Sequence, residues 1–113
     1  MKIACLISGL PRSIKYNIEK IKNILGENTD YYVHVTKKYD DNYKNIDINY
    51  DEIIKKLNPL ISIIENEPFT SKIENENKFI NMKRQWYKFN QINNARINYE
   101  KIHNIKYDLI IRI

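Results

Sequence analysis

Cysteine is nearly missing from this chain, which has a single one, Cys5, among 113 residues. One cysteine excludes an internal disulfide and a cysteine-based zinc site. Two glycines and three prolines are too few for a collagen-like, linker-like or low-complexity protein. No apolar run approaches the ~18–20 residues of a membrane span. We therefore expect a small folded protein of the cytoplasm.

Arginine is also scarce, with 4 residues against 15 lysines. The formal net charge is +5, but the lysines are scattered, whereas nucleic-acid binders cluster their basic residues. We therefore expect no nucleic-acid partner. Isoleucine, asparagine, lysine and tyrosine make up more than half of the chain. Because these residues share A/T-rich codons, we attribute the excess first to the base composition of the gene and only second to function. The length predicts one domain, residues 1–113.

Segments typical of strands and of helices alternate along the chain. The predicted strands are 2–8, 31–36, 60–64 and 107–113, and the predicted helices are 13–25, 50–57 and 79–102. Gly26 and Asn58-Pro59 mark the ends of the first two helices, and 37–49 and 65–78 are predicted loops. This alternation predicts an α/β, Rossmann-like fold, in which a largely parallel sheet of about four strands carries helices on its faces.

The last predicted strand runs to the final residue, Ile113. In parallel α/β sheets the ligand crevice lies at the carboxyl ends of the strands. The next loop of such a site would begin after Ile113. We therefore expect that the chain is truncated at its C-terminus.

The segment Ser8-Gly9-Leu10-Pro11-Arg12-Ser13 joins the first predicted strand to the first predicted helix. Backbone N–H groups and the positive end of the helix dipole converge at such a junction, and the Arg12 guanidinium suits phosphate oxygens. One interpretation is a phosphate or diphosphate site. The other is an ordinary turn with Ser13 as N-cap and Arg12 solvated. The segment is not a Walker phosphate-binding motif, because the spacing G-x-x-x-x-G-K-[ST] is absent.

Arg112 is a charge within an apolar strand, and a buried arginine needs an anionic partner. Its head points either at a ligand cleft or into solvent. Asp108, at the entrance of the same strand, is expected to be structural.

On the long helix, Trp86 belongs to the apolar stripe and is expected in the core. Its neighbours Gln85 and Tyr87 lie off the centre of that stripe, where they are either solvated or reach a pocket.

The two histidines, His34 and His103, lie far apart and have no ligand-spaced partner, so both are expected to be structural. Glu65, directly after the third predicted strand, is placed for a ligand contact. The pair Asp40-Asp41 is expected to be solvated charge. Nothing in the sequence brings Cys5 or a serine toward a histidine, so no nucleophile–histidine constellation is predicted.

Four segments occur here in a familiar order: Ser8-Gly9-x-x-Arg12, Tyr31-Tyr-Val-His-Val, Gln85-x-Tyr87 and Tyr107-Asp-Leu-Ile-Ile-Arg-Ile113. Together they resemble the glycosyltransferase-like proteins of large DNA viruses and of bacterial polysaccharide clusters, which have a GT-A type nucleotide-diphospho-sugar fold. The resemblance implies the N-terminal, nucleotide-binding portion of a sugar transferase. It implicates Ser8, Gly9 and Arg12 in binding the nucleotide of a nucleotide-diphospho-sugar donor, with Arg112 near the same cleft. The acceptor would be a glycan or a protein.

The resemblance also implies Mg²⁺ or Mn²⁺, which such enzymes hold through the aspartate of an Arg-x-Asp segment. Arg112 and Ile113 match the approach to that segment, and the aspartate is not in this chain. The ion would neutralise the leaving diphosphate. Glycosyl transfer is therefore expected only if the chain continues beyond residue 113.

Two alternatives remain open. Ile7 to Ser13 is similar to the phosphosulfate loop of sulfotransferases, although Ile14-Lys15-Tyr16 stands where that loop has glycine and hydroxyl residues. The other alternative is a non-catalytic fragment or interaction module. A partner chain would complete its sheet by pairing with the edge of the last strand.

Overall fold

The structure, a computed structural model, describes residues 1–9, 11–26, 28–36, 50–65 and 77–113. Helices and strands alternate within these ranges. In chain order they are β1 (Ile3–Gly9), α1 (Pro11–Leu25), β2 (Asp30–Thr36), α2 (Tyr50–Leu57), β3 (Ile61–Glu65), α3 (Asn77–His103) and β4 (Leu109–Arg112). Each lies within a few residues of its predicted position. The predicted loop 37–49 and residues 66–76 of the predicted loop 65–78 lie outside the described residues; the ends of the second loop were wrong, because Glu65 ends β3 and Asn77 begins α3.

The four strands form one sheet in the order β3-β2-β1-β4, and all three strand pairs are parallel. The apolar runs of β1 and β2 are buried on both faces because these strands lie in the middle of the sheet. Helices α1 and α2 pack together on one face, and α3 packs on the other. The predicted α/β, Rossmann-like fold is confirmed.

Alternate residues of the central strands point to opposite faces of the sheet and belong to two separate cores. The core under α1 and α2 contains Cys5, Ile7, Ile14, Ile18, Ile21, Tyr31, Val33, Val35, Ile53 and Leu57. The core under α3 contains Ala4, Leu6, Tyr32, Ile92 and Tyr107. The side chain of each strand residue therefore lies on a face that its position in the strand determines.

The first two helices end at residues with positive φ. Gly26 has φ 81°, and its N–H donates to the carbonyl of Lys22 at 2.8 Å. Asn58 has φ 48°, and its N–H donates to the carbonyl of Ile54. Glycine and asparagine are the residues that adopt this conformation most readily, so both predicted helix ends are confirmed. At its start, α1 begins at Pro11, so the prediction of Ser13 as N-cap is wrong.

The buried face of α3 differs from the predicted apolar stripe. Trp86 is 63% exposed, Met82 65% and Ile102 77%, so the prediction of Trp86 in the core is wrong. The buried row, at four-residue intervals, is Arg84, Lys88, Ile92 and Arg96. Long basic side chains cover apolar surface with their stems, and this is why a pattern of apolar residues alone misplaces the face.

At the amino end of the sheet, polar groups hydrogen-bond to one another. We call this set, in which Tyr32 and Tyr107 are buried and Asp30, Lys2 and Asp108 are half-buried or exposed, the amino-end network. The Tyr107 hydroxyl donates to Asp30 Oδ2 at 2.7 Å. The Tyr32 hydroxyl therefore donates to the Tyr107 oxygen, 2.6 Å away, since a carboxylate only accepts. Asp108 accepts the backbone N–H of Lys2 at 2.7 Å, which confirms its predicted structural role.

Within the described ranges, none of the helices combines the length and the apolar character needed to cross a membrane. Helix α3 is the longest, at 27 residues, but it carries basic residues along its length. It packs on the sheet through its second half and approaches the site described next through its first half.

Candidate functional site

The direction of the chain across the sheet reverses at β1. From β1 it moves outward through β2 to β3, and α3 then crosses back to place β4 on the other side of β1. In open α/β sheets, ligands bind outside the carboxyl ends of the strands at this switch point. Here those ends are Ser8-Gly9 of β1 and Arg112-Ile113 of β4, and the Ser8 N–H faces the Ile113 carbonyl at 3.4 Å.

The strand register places Ser8 and Arg112 on the same face of the sheet. Ser8 continues the alternation of Ala4 and Leu6, which face α3. Arg112 is the register partner of Leu6, so it also lies on the α3 side. Two of the predicted site residues, one from each end of the sequence, are therefore brought together.

The amino end of α1 lies beside these residues because a single residue, Leu10, separates β1 from the helix. The first backbone N–H groups of a helix have no internal acceptor, and the helix dipole is positive there. The first turn contains no acidic residue. Gly9 is the last residue of β1 and Arg12 is in the first turn of α1; their side chains lie outside the described part of the structure.

Arg112 is exposed, and its guanidinium lies over the ring of Phe89 at 4.3 Å from the centroid. A cation over an aromatic ring is held by the ring quadrupole. Among the described residues no carboxylate pairs with Arg112. Its N–H donors, which suit phosphate or carboxylate oxygens, therefore face solvent.

A cleft of about 470 Å³ opens next to Arg112. In the described part of the chain, its lining residues are Met82, Lys83, Gln85, Trp86 and Arg112. This volume is in the range of small-molecule sites. Gln85 thus reaches a pocket, which was one of the two predicted alternatives, and Arg112 belongs both to the cleft and to the switch point.

On the other side of Ser8, a buried histidine is paired with a glutamate. His34 is the register partner of Ser8, is fully buried, and has its Nε2 2.7 Å from Glu65 Oε1. The sequence predicts no nucleophile–histidine constellation, and the register of β1 with β2 places Ser8 next to His34. The sequence showed only that both residues follow apolar runs; the parallel register that aligns them is a property of the fold.

The tautomer of His34 follows from this pairing. Because the Glu65 carboxylate only accepts, Nε2 carries the hydrogen of this bond, and in the neutral imidazole Nδ1 is then the acceptor. Nδ1 is buried and has no hydrogen-bond partner in the described part of the chain. The ring of Tyr87 stands edge-on to the imidazole, with 6.0 Å between centroids. Glu65, predicted to contact a ligand, contacts His34.

The described residues show no ligand set for the implied Mg²⁺ or Mn²⁺, and the segments that follow β2 and β3 lie outside them. On the α3 side of the carboxyl edge the described residues supply a single carboxylate, Glu65, which is hydrogen-bonded to His34. No three histidine, cysteine or acidic side chains within the described ranges are grouped to hold a metal ion. Asp40 and Asp41 lie outside the described residues.

Cys5 lies in the middle of β1 and is fully buried. Burial raises the pKa of its thiol from 9.0 to about 12, because the thiolate is not solvated there. Thiolate is the nucleophilic form of cysteine. Cys5 is therefore a core residue and has no part in the chemistry of the site.

No protein-family model, curated protein or solved structure matches the chain.

Proposed function

We propose that the chain binds the diphosphate of a nucleotide-sugar donor for glycosyl transfer, at the carboxyl edge between β1 and β4. One observation carries the proposal: the switch point joins Ser8, the amino end of α1 and Arg112, an arginine with no carboxylate partner in the described structure. The resemblance of the sequence to glycosyltransferase-like proteins supports the same site residues.

The chemistry of these groups suits a diphosphate. Backbone N–H groups at the start of α1 and the Ser8 hydroxyl donate to phosphate oxygens. The Arg112 guanidinium donates two parallel hydrogen bonds and supplies a positive charge. In transfer, the sugar forms a bond to an acceptor oxygen, which releases its proton to solvent, while the bond from the sugar to the diphosphate breaks and leaves negative charge on the diphosphate. Donors already directed at that position stabilise the charge as it develops.

Calorimetry with uridine diphosphate and guanosine diphosphate tests the proposal. We expect saturable binding by the wild-type chain. Arg112→Ala and Arg12→Ala should each weaken it at least tenfold, about 1.4 kcal/mol. The matched control is Lys101→Ala, which removes one exposed positive charge from the opposite end of α3. Its affinity should stay within about twofold of wild type, because the site lies near the first half of α3.

Three results would contradict the proposal. A folded chain that binds neither diphosphate has no such site. Equal weakening by Lys101→Ala and Arg112→Ala would reduce the binding to general attraction between opposite charges. Selective binding of adenosine 3′,5′-bisphosphate would favour the sulfotransferase-like alternative.

A second candidate function, partner binding, is favoured by β4. This strand lies at the edge of the sheet and pairs with β1, and no other described strand pairs with it. Leu109 is 44% and Ile110 43% exposed. An exposed apolar edge is a template for another strand. Light scattering over a range of protein concentrations tests this; a mass that stays monomeric excludes self-pairing.

A further inference from the structure

The cleft beside Arg112 combines two apolar side chains, Met82 and Trp86, with polar ones, and it lies on the surface. Trp86 and Met82 are each about two-thirds exposed and line the cleft together with Gln85 and Arg112. An exposed tryptophan is costly, since its large apolar surface contacts water. Aromatic platforms of this kind bind flat rings, because every nucleobase has a face that stacks.

We propose that this cleft is a ring-binding subsite, in which Trp86 stacks on the nucleobase of the nucleoside diphosphate. The inference rests on the proposed function. In that function the switch point binds the diphosphate, and here the cleft binds the nucleobase. Charge complementarity selects this occupant: Arg112 and Lys83 border the cleft, and no carboxylate pairs with either of them in the described part of the chain. A ring that carries a diphosphate matches both the apolar wall and the cations.

Arg112 connects the two halves of the proposed site. It ends β4 at the switch point and also lines the cleft, with its guanidinium over Phe89. The ring centroids of Phe89 and Trp86 are 6.4 Å apart, so the aromatic surface continues from one residue to the other. Gln85 adds an amide at the rim, which can donate to and accept from the edge of a base.

Trp86 is the only tryptophan of the chain, so the emission of the wild-type protein reports this cleft directly. Uridine diphosphate and guanosine diphosphate should change the emission saturably. Inorganic pyrophosphate should bind with at least tenfold lower affinity, as it lacks the ring, and should leave the emission nearly unchanged. Uridine alone should bind more weakly than either diphosphate, since it lacks the charge.

Variants separate stacking from other effects. Trp86→Ala should weaken binding of the nucleoside diphosphates at least tenfold in calorimetry and leave pyrophosphate affinity within about twofold. Trp86→Phe should keep most of the affinity because it keeps a ring. The matched control is Ile102→Ala, which removes an exposed apolar side chain from the other end of the same helix. It should change neither affinity. Circular dichroism checks that each variant is folded.

The outcomes distinguish the two proposals. If pyrophosphate binds as tightly as the nucleoside diphosphates and Trp86→Ala changes neither, the ring-binding subsite is overturned and the diphosphate site stands. If neither pyrophosphate nor a nucleoside diphosphate binds, both the ring-binding subsite and the diphosphate site are overturned. If Trp86 emission instead depends on protein concentration and the mass doubles, a second copy covers the cleft, and the subsite is likewise overturned.

Discussion

The two ends of the sheet differ in whether their polar groups have hydrogen-bond partners. At the amino end, Tyr32, Tyr107 and Asp30 form a continuous chain of hydrogen bonds. At the carboxyl end, His34 Nδ1 has no partner among the described residues, and Arg112 faces a cleft. A buried polar atom without a partner costs about 1–3 kcal/mol. The amino end therefore contributes stability, and at the carboxyl end Arg112 stays exposed where we propose that a ligand binds.

Removing one hydroxyl from the amino-end network should have the largest effect on stability. Tyr107→Phe leaves Asp30 without its donor and Tyr32 without its acceptor, so the free energy of unfolding should fall by about 2 kcal/mol. Urea denaturation measures this. Tyr99→Phe is the matched control, since the Tyr99 ring packs on Tyr32 and no hydrogen bond of its hydroxyl is found in the described structure. Equal losses in both variants would show that the network contributes nothing.

Alkali should destabilise the protein through the same tyrosines. Burial raises the pKa of Tyr32 and of Tyr107 above 10.0, and that of Cys5 from 9.0 to about 12. The unfolded chain therefore loses these protons first as the pH rises. The free energy of unfolding should be constant below pH 9 and fall above it, by up to about 1.4 kcal/mol per pH unit for each group.

Urea titrations at about pH 8, 9.5 and 10.5 measure that slope. Cys5→Ala should flatten the first part of the decline, and Tyr107→Phe the later part. A slope that neither substitution changes would assign the alkaline loss to other groups.

The smallest effect on stability is expected at the carboxyl end. Arg112→Ala should change the free energy of unfolding by less than about 0.5 kcal/mol, because the side chain is exposed and its ring contact is worth little in water. Thermal unfolding measures this against the Lys101→Ala control. A loss above about 1 kcal/mol would make Arg112 a structural residue and remove the difference between the two ends.

Much of the fold could be predicted from the sequence because it depends on local patterns. Apolar runs marked the strands, and Gly26 and Asn58 marked the helix ends. The exposure of Trp86 could not be predicted in this way. The buried face of α3 includes Arg84, Lys88 and Arg96, and apolar periodicity assigns such residues to solvent.

The candidate site was predictable only in part. A serine and glycine after a buried strand indicated that the carboxyl end of β1 could bind a ligand. The neighbours of Ser8, by contrast, depend on strand order and register. Pairing with β2 aligns His34 with it, and pairing with β4 brings Arg112 to the same face. These contacts join segments far apart in the sequence, and no local pattern encodes them.

The pairing of β1 with β4 has a kinetic consequence. The hydrogen bond from Lys2 to Asp108 joins residues 106 positions apart, and closing so long a loop costs entropy that shorter contacts do not. Contacts of this range tend to form late in folding. A ligand that bridges Ser8 and Arg112 would thus bind only chains that have completed this last closure. It would also slow any unfolding that begins with β4, because it would tie this edge strand to β1.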